Sequence, residues 1–339
     1  MAASQQIVDR LLDSGLTREF VDAAMPDWWR PELEKSRAAK TMVALLLARR
    51  LSISPASLLS DDVPIGYIHT GPTKFKHMRL AEGPRREALI GYAQGVTRIA
   101  LAALPDGVPF HPPGPAAKMR ELLLRTGDGS SVGFGDVLTL CWSLGIPVLH
   151  LRLFPAPTKG VTAIAVRVGG RFAILVARDS GLSGQYMFHV AHELGHIALG
   201  HLEEASAIVD ADPNDPANFP LELIDDEDEK AADAYAQELL TGSPSFSVLR
   251  QGEARAGSAA ELARRARAIG QQLRIDPQHI ALCFGYSTNE WPIAIAAAKL
   301  LPEQPEPPGT LVNRVLWTQL GPHDEEDRSF AFLHAVAPE

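Results

Sequence analysis

The string H-E-L-G-H at residues 192–196 constrains the fold of this chain more than any other part of its sequence. Residues 183–200 around it contain no proline, begin at a serine and end at a glycine, which predicts one helix over this range. Positions four apart lie one turn apart on the same helix face, so His192 and His196 can present their rings to one point. Their nitrogens can then bind one metal ion at the ~2.0–2.1 Å of a zinc–nitrogen bond.

Glu193 lies next to the first histidine in sequence, about 100° round the helix. From there its carboxylate can reach a water molecule at the metal without competing as a ligand, so we predict Glu193 as the general base. The alternative is a pair of hydrogen-bonded core histidines with a glutamate on the surface. That alternative leaves a glutamate unexplained on an otherwise apolar helix, so we predict His192 and His196 as metal ligands.

A catalytic zinc site has three protein ligands and keeps a fourth position open for water, so one more ligand is needed. In zincins whose third ligand is histidine, the pattern H-E-x-x-H-x-x-G-x-x-H requires glycine at position 199 and histidine at position 202. The chain has Leu199 and Leu202 there, while Gly200 and His201 are each one place out of register. His201 is therefore a poor candidate, and a glutamate on a later helix is the better one.

Five glutamates after the motif are candidates for the third ligand: Glu203, Glu204, Glu222, Glu227 and Glu229. We favour Glu229, because it begins a helix predicted over 228–240 whose alanines would let it approach the histidine helix closely. Asp233, one turn further on, could accept a hydrogen bond from the free N–H of a ligand histidine. The preference of helix N-termini for acidic residues explains Glu227 and Asp228 equally well, but it does not explain Asp233.

Before the motif, the hydrophobic pattern changes from helical to strand-like and back. The predicted elements are helices over 118–125 and 133–144, a strand over 147–154, hairpin strands over 163–168 and 172–176 joined by two glycines, and then the motif helix. This order indicates the α+β class, with a small antiparallel or mixed sheet packed on helices. An edge strand of the hairpin at 162–177 could hold an extended substrate by strand addition.

Three regions are expected along the chain: a mainly helical N-terminal region over 1–117, the α+β module over 118–245, and a helical C-terminal region with an extended tail over 246–339. The first contains LARRLSISPASLL at 47–59, a helix, a break and a second short helix, which can serve as a DNA-binding helix-turn-helix. The same pattern is typical of an ordinary packed helical corner.

DNA contact by this segment is supported by Lys40, Arg49 and Arg50, and by 14 basic against 11 acidic residues in 1–98. The whole chain of 339 residues carries a net charge of −9, which argues against a dedicated nucleic-acid-binding protein. Cys141 and Cys283 lie in apolar segments, which indicates reduced thiols and a reducing compartment. With no secretion signal and no apolar run of ~20 residues, we expect a cytoplasmic protein without a membrane partner.

The sequence resembles the ImmA/IrrE-type zinc metallopeptidases over about residues 118–245. The resemblance lies in A-H-E-L-G-H at 191–196, in E-x-x-A-D-x-Y-A-x-x-L-L at 229–240, and in G-F-G-D-V-L-T-L-C-W-S-L-G-I-P-V at 133–148. Two positions differ from the family pattern. Asp233 stands where the family often has asparagine, and Thr241-Gly242 follow the two leucines where the family has methionine and proline.

The resemblance implies a zincin-like metallopeptidase core with one Zn²⁺ per chain, held by His192, His196 and Glu229. It also implies cleavage of a helix-turn-helix repressor or antitoxin in a bacterial stress, phage-defence or mobile-element switch. A toxin–antitoxin component, and a non-proteolytic binding protein that uses the zinc fold as a scaffold, remain alternatives. For the group that contacts the substrate or its oxyanion, the candidates are Tyr186, His189 and His201.

Overall fold

A computed structural model describes residues 7–60, 62–68, 71–75, 83–155, 161–177, 179–211, 226–246, 257–302, 305–320 and 328–339. Over these residues the protein is a mostly helical α+β structure, as predicted. The helices are α1 Ile7–Asp13, α2 Arg18–Ala24, α3 Arg37–Leu51, α4 Pro55–Leu59, α5 Pro84–Ala102, α6 Ala116–Thr126, α7 Phe134–Ser143, α8 Ser183–Ala198, α9 Glu227–Thr241, α10 Ala259–Leu273, α11 Pro277–Thr288, α12 Trp291–Lys299, α13 Pro308–Gln319 and α14 Arg328–Val336, with a 3-10 helix over Pro31–Lys35.

Five strands form one mixed sheet in the order β1-β5-β3-β4-β2. Their bounds are β1 Thr73–Phe75, β2 Val148–His150, β3 Val161–Val168, β4 Arg171–Val176 and β5 Ala207–Ala211. The strand β3 is antiparallel to both of its neighbours, whereas β1 and β2 pair in parallel with β5 and β4. The prediction that the hairpin offers an edge strand is wrong, because β3 and β4 both lie inside the sheet.

The hairpin itself forms where the glycine pair predicted it. Gly169 and Gly170 have φ values of +58° and +79°, the left-handed conformation that a tight two-residue hairpin turn requires. Along β3 the side chains alternate between two hydrophobic clusters, with Ile164 in one and Ala165 in the other. Both faces of the sheet are therefore buried at β3, which explains why its central residues 163–166 are all apolar.

Two strands were not predicted. Neither β1 nor β5, which lies in the acidic stretch after the motif helix, is among the elements that the sequence pattern predicts. Ala207, Ile208 and Val209 in β5 are buried, because β3 pairs with them on one side and β1 on the other. The charges that surround this apolar triplet in sequence concealed it.

The sheet separates two layers of helices. One hydrophobic cluster joins α1, α2, α3, α5 and α14 to one face, and a second joins α6, α7, α8 and α9 to the other. The helices α10, α11 and α12 form a third cluster, and α11 packs against α8. Residues of all three predicted regions thus surround one sheet, with the motif helix on one face.

The edge at β2 is covered by a side chain. The Oδ1 atom of Asn313 on α13 accepts a hydrogen bond of 2.8 Å from the backbone N–H of His150. The Nδ2 atom of the same side chain donates to the carbonyl of His150 at 2.9 Å. Asn313 is fully buried and pairs with His150 much as another strand would.

The helix-turn-helix-like segment forms α3 and α4, which are joined through Ser52 in the left-handed conformation, with φ of +53°. Arg50 does not face solvent: it is 2% exposed, donates to the carbonyl of Ala24 at 2.6 Å and lies 5.3 Å from the ring centre of Phe332. Lys40 pairs with Glu34 at 2.9 Å. These contacts are those of a packed corner, and DNA contact by this region stays a prediction.

None of the helices in the described part of the chain is long and apolar enough to span a membrane.

Candidate metal centre

The two ends of the motif helix α8 agree with the sequence prediction to different degrees. Gly200, with φ of +77°, follows its last turn, as predicted. At the other end the N-cap is Leu182, and the predicted cap Ser183 is the first helical residue. The hydroxyl of Ser183 donates instead to Oε1 of Gln278 at 3.0 Å, which fastens α8 to α11.

The helix α9 approaches α8 closely at a glycine. A Cβ atom added to Gly195 would lie 3.1 Å from the carbonyl oxygen of Ala232 and 3.2 Å from Cβ of Tyr235, tighter than ordinary contacts. Ala232 and Ala236 are fully buried, so the small residues of α9 form the contact surface, as the sequence indicated. This close packing places the first turn of α9 beside the two histidines.

Three side-chain groups meet between these helices: the imidazoles of His192 and His196, through Nε2, and the carboxylate of Glu229. The two nitrogens are 3.0 Å apart, and each lies 3.3 Å from one of the carboxylate oxygens of Glu229. Zinc bonds of about 2.0–2.1 Å at tetrahedral angles separate ligand atoms by roughly 3.3–3.4 Å. All three residues are buried, and the group could hold a metal ion.

The charges of the three groups also favour a cation. Burial lowers the pKa of His196 to about 4, so this ring is neutral at pH 7. Burial alone would raise the pKa of Glu229, but hydrogen bonds and charge interactions with both histidines outweigh it and leave this pKa far below its usual range. An ionised carboxylate and a neutral imidazole thus face each other in a buried space, and a divalent ion would compensate that charge.

The second nitrogen of His192 has the partner that the sequence suggested. Its Nδ1 lies 2.9 Å from Oδ1 of Asp233, whose side chain is 58% exposed. An ionised carboxylate only accepts, so Nδ1 is the donor, and in a neutral ring Nε2 then has a lone pair that a metal ion can take.

The predicted base, Glu193, is fully buried on the same helix. It is not part of the group of three, whose members are His192, His196 and Glu229. Its role as general base stays a prediction.

His201 contacts the ring of His196. Its Nδ1 is 2.8 Å from Nδ1 of His196, on the side of the imidazole opposite Nε2. Its Nε2 is 3.7 Å from Oδ1 of Asp228, and the other oxygen of Asp228 accepts from Lys74 at 2.8 Å. The sequence contained no signal for these contacts, because Lys74 is 154 residues from Asp228.

Tyr186 and His189 do not join the ligand group. Tyr186 is 1% exposed, and its hydroxyl hydrogen-bonds to Nε2 of His150 at 3.1 Å within the core. This position does not suit the predicted contact with a substrate. His189 is half-buried, with its ring 6.1 Å from that of Phe188.

The other acidic candidates lie elsewhere. Glu203 and Glu204 are exposed, and Glu227 is an exposed residue that pairs with Lys230 at 3.2 Å. Glu222 lies outside the described residues. Within the described part of the chain, Glu229 is the acidic residue that completes a group able to hold a metal.

An aromatic cluster that was not predicted flanks the centre. The ring of Phe188, one turn before His192 on α8, lies 6.1 Å from that of His192. It stacks on His279 of α11 at 5.9 Å and contacts Tyr286 at the same distance. The C-terminal helices therefore form one side of the surroundings of the metal centre.

Comparisons with models of protein families, with curated proteins and with solved structures find no match to this chain. The likeness to the ImmA/IrrE-type peptidases thus depends on the motifs themselves and stays a prediction.

Proposed function

We propose that this protein is a zinc-dependent endopeptidase with a zincin-like core. One observation carries the proposal: two histidine nitrogens of one helix lie 3.0 Å apart, and each lies 3.3 Å from a carboxylate oxygen of a glutamate on the next helix, while the buried Glu193 follows the first histidine in sequence. The donor set of two imidazoles and one carboxylate is that of hydrolytic zinc sites with an open fourth position.

The residues would divide the work as follows. His192, His196 and Glu229 hold the ion, and Asp233 orients the first ring. Bound zinc supplies Lewis acidity to a water molecule and to the carbonyl of the scissile peptide bond. Glu193 accepts the proton of that water and passes it to the departing amine, which leaves as a neutral group.

A helix-turn-helix repressor or antitoxin encoded nearby is the substrate that the family resemblance suggests, in the cytoplasm of a bacterium. The two other readings, a toxin component and a non-proteolytic scaffold, differ from this one in what happens to the partner. A scaffold binds the repressor without cutting it, and a toxin arrests growth in a way that depends on Glu193.

The test is incubation of the zinc-loaded chain with the product of the neighbouring gene, with and without a chelator. We expect one cut, lost on chelation and restored by zinc. The variant Glu193→Gln should keep one zinc per chain and lower the cleavage rate by at least about 10²-fold, since general-base catalysis contributes this much.

Glu227→Gln is the matched control, because it removes an exposed carboxylate of α9 and should leave the cleavage rate unchanged. Cleavage at the wild-type rate by Glu193→Gln would show that the base is another group. Tight binding of the repressor without any cut, at full zinc occupancy, would favour the scaffold.

A further inference from the structure

The Nδ1 atoms of His192 and His196, which point away from the proposed metal, have different partners. His192 donates directly to a carboxylate, that of Asp233, at 2.9 Å. His196 instead contacts a second imidazole, that of His201, at 2.8 Å. The carboxylate of Asp228 lies on the far side of His201, near its Nε2. The last group in this row is Lys74, whose ammonium donates to Asp228 at 2.8 Å.

The row has a consequence for where the protons lie. Between two imidazoles that meet through their Nδ1 atoms, one nitrogen must donate and the other must accept. The carboxylate of Asp228 lies 3.7 Å from Nε2 of His201 and favours the proton on that nitrogen. Nδ1 of His201 then has a lone pair and accepts from Nδ1–H of His196.

In this arrangement Nε2 of His196 carries no proton and can bind a metal. In the opposite tautomer, the proton on Nε2 of His196 would lie near Nε2 of His192, 3.0 Å away, and the carboxylate of Glu229, 3.3 Å away, and would exclude the ion. The choice between the two tautomers thus decides whether the three ligand atoms can act together.

We propose that Lys74, Asp228 and His201 are positioning residues that fix the metal-binding tautomer of His196. The proposal rests on the metal centre of the proposed function but not on peptidase activity. Lys74 holds one oxygen of Asp228, so the other oxygen faces His201, and His201 sets the ring of His196.

Lys74 lies on β1, which belongs to the N-terminal region, whereas the ligands lie on α8 and α9. The strand β1 pairs with β5, and Lys74 is opposite Ile208 in that pairing. The edge of the sheet therefore places the ammonium at the start of α9. A part of the N-terminal region contributes to the metal centre, a role distinct from the predicted contact with DNA.

The first measurement is the zinc affinity of the full chain, from competition with a chromophoric chelator. We expect His201→Phe to weaken zinc binding by at least about tenfold, as for other groups that orient a ligand. Lys74→Met should weaken it by about threefold, since the ion pair is partly exposed and such pairs contribute little. Lys74→Arg keeps the charge and should restore the affinity.

A double-mutant cycle separates the proposed route from a general loss of structure. If Lys74 acts through Asp228, Lys74→Met should have no further effect on zinc affinity in a chain that already carries Asp228→Ala. Lys40→Met is the matched control, because it breaks another ion pair of the N-terminal region, the pair between Lys40 and Glu34 at 2.9 Å. It should leave the zinc affinity unchanged.

Long-range ¹H–¹⁵N spectra of the zinc-loaded protein, labelled at histidine, read the tautomers directly. We expect the proton of His196 on Nδ1 and that of His201 on Nε2. A proton on Nδ1 of His201 would overturn the proposal, and so would equal zinc affinities for wild type, Lys74→Met and Lys40→Met. A wild-type chain that binds no zinc would instead overturn the metal centre itself.

Discussion

Two segments of this chain carry motifs that are recognisable in the sequence, and their side chains have different surroundings in the structure. In α8, the side chains of the motif converge with Glu229 in a buried group. In the corner of α3 and α4, the arginine that we expected to be available for DNA is buried against Ala24 and Phe332. The positions of His192 and His196 relative to each other depend only on their spacing within one helix. The burial of Arg50, in contrast, depends on which helices pack around it.

The largest expected effect tests the first segment. Glu229→Ala removes one of three ligands, and we expect zinc affinity to fall by at least about a thousandfold. Glu227→Ala, two residues earlier on the same helix, removes an exposed carboxylate and should leave the affinity unchanged. The measurement is zinc content after dialysis, followed by competition with a chelator. Similar affinities for the two variants would remove Glu229 from the ligand set.

The second prediction tests the corner. Arg50→Ala leaves a cavity and deprives the carbonyl of Ala24 of its donor, so we expect the free energy of unfolding to fall by about 3 kcal/mol. The exposed neighbour Arg49 is the control, since Arg49→Ala should change it by less than about 0.5 kcal/mol. Urea unfolding measures both. If Arg50→Ala kept full stability and lost affinity for DNA, the corner would be a DNA-binding element after all.

A smaller effect concerns the helices that flank the centre. Burial, and then the charge of Arg120, lower the pKa of His279 from 6.5 to about 4. Because the unfolded chain then binds this proton more tightly, the stabilising contribution is complete above pH 6.5 and falls as the pH drops towards 4.

Between pH 7 and pH 5, we expect His279 to account for a loss of about 2 kcal/mol in the free energy of unfolding of the metal-free chain. His279→Gln should flatten the profile by that amount. His196 acts in the same direction in both proteins, so the difference isolates His279. Parallel profiles for the two chains would show that the ring is protonated or solvated in the folded state.

The sequence predicted what depends on local periodicity. The helices α6 to α9 and the β3–β4 hairpin lie where the pattern placed them, and the α+β class is confirmed. The strand β1 could not be predicted, because three residues become a strand only through pairing with β5. The helices α13 and α14 lie in the part of the C-terminal region that we expected to be an extended tail.

The same division holds at the metal centre. His192, His196, Glu229 and Asp233 follow from spacing on two helices, since each pair lies one turn apart. The contacts of His201 follow from the turn after α8 and from a lysine far away in sequence, so no local pattern contains them. Tyr186 shares the helix with both ligands, but its hydroxyl is committed to His150 on β2.

X-ray absorption at the zinc edge of the purified chain decides whether His192, His196 and Glu229 bind zinc. We expect one zinc per chain, with two imidazole nitrogens and carboxylate or water oxygens at about 2.0–2.1 Å and no sulfur neighbour. In His196→Ala the same measurement should find no stoichiometric zinc. A wild-type chain without stoichiometric metal, or one whose zinc is bound by cysteine sulfur at about 2.3 Å, would contradict the proposed metal centre.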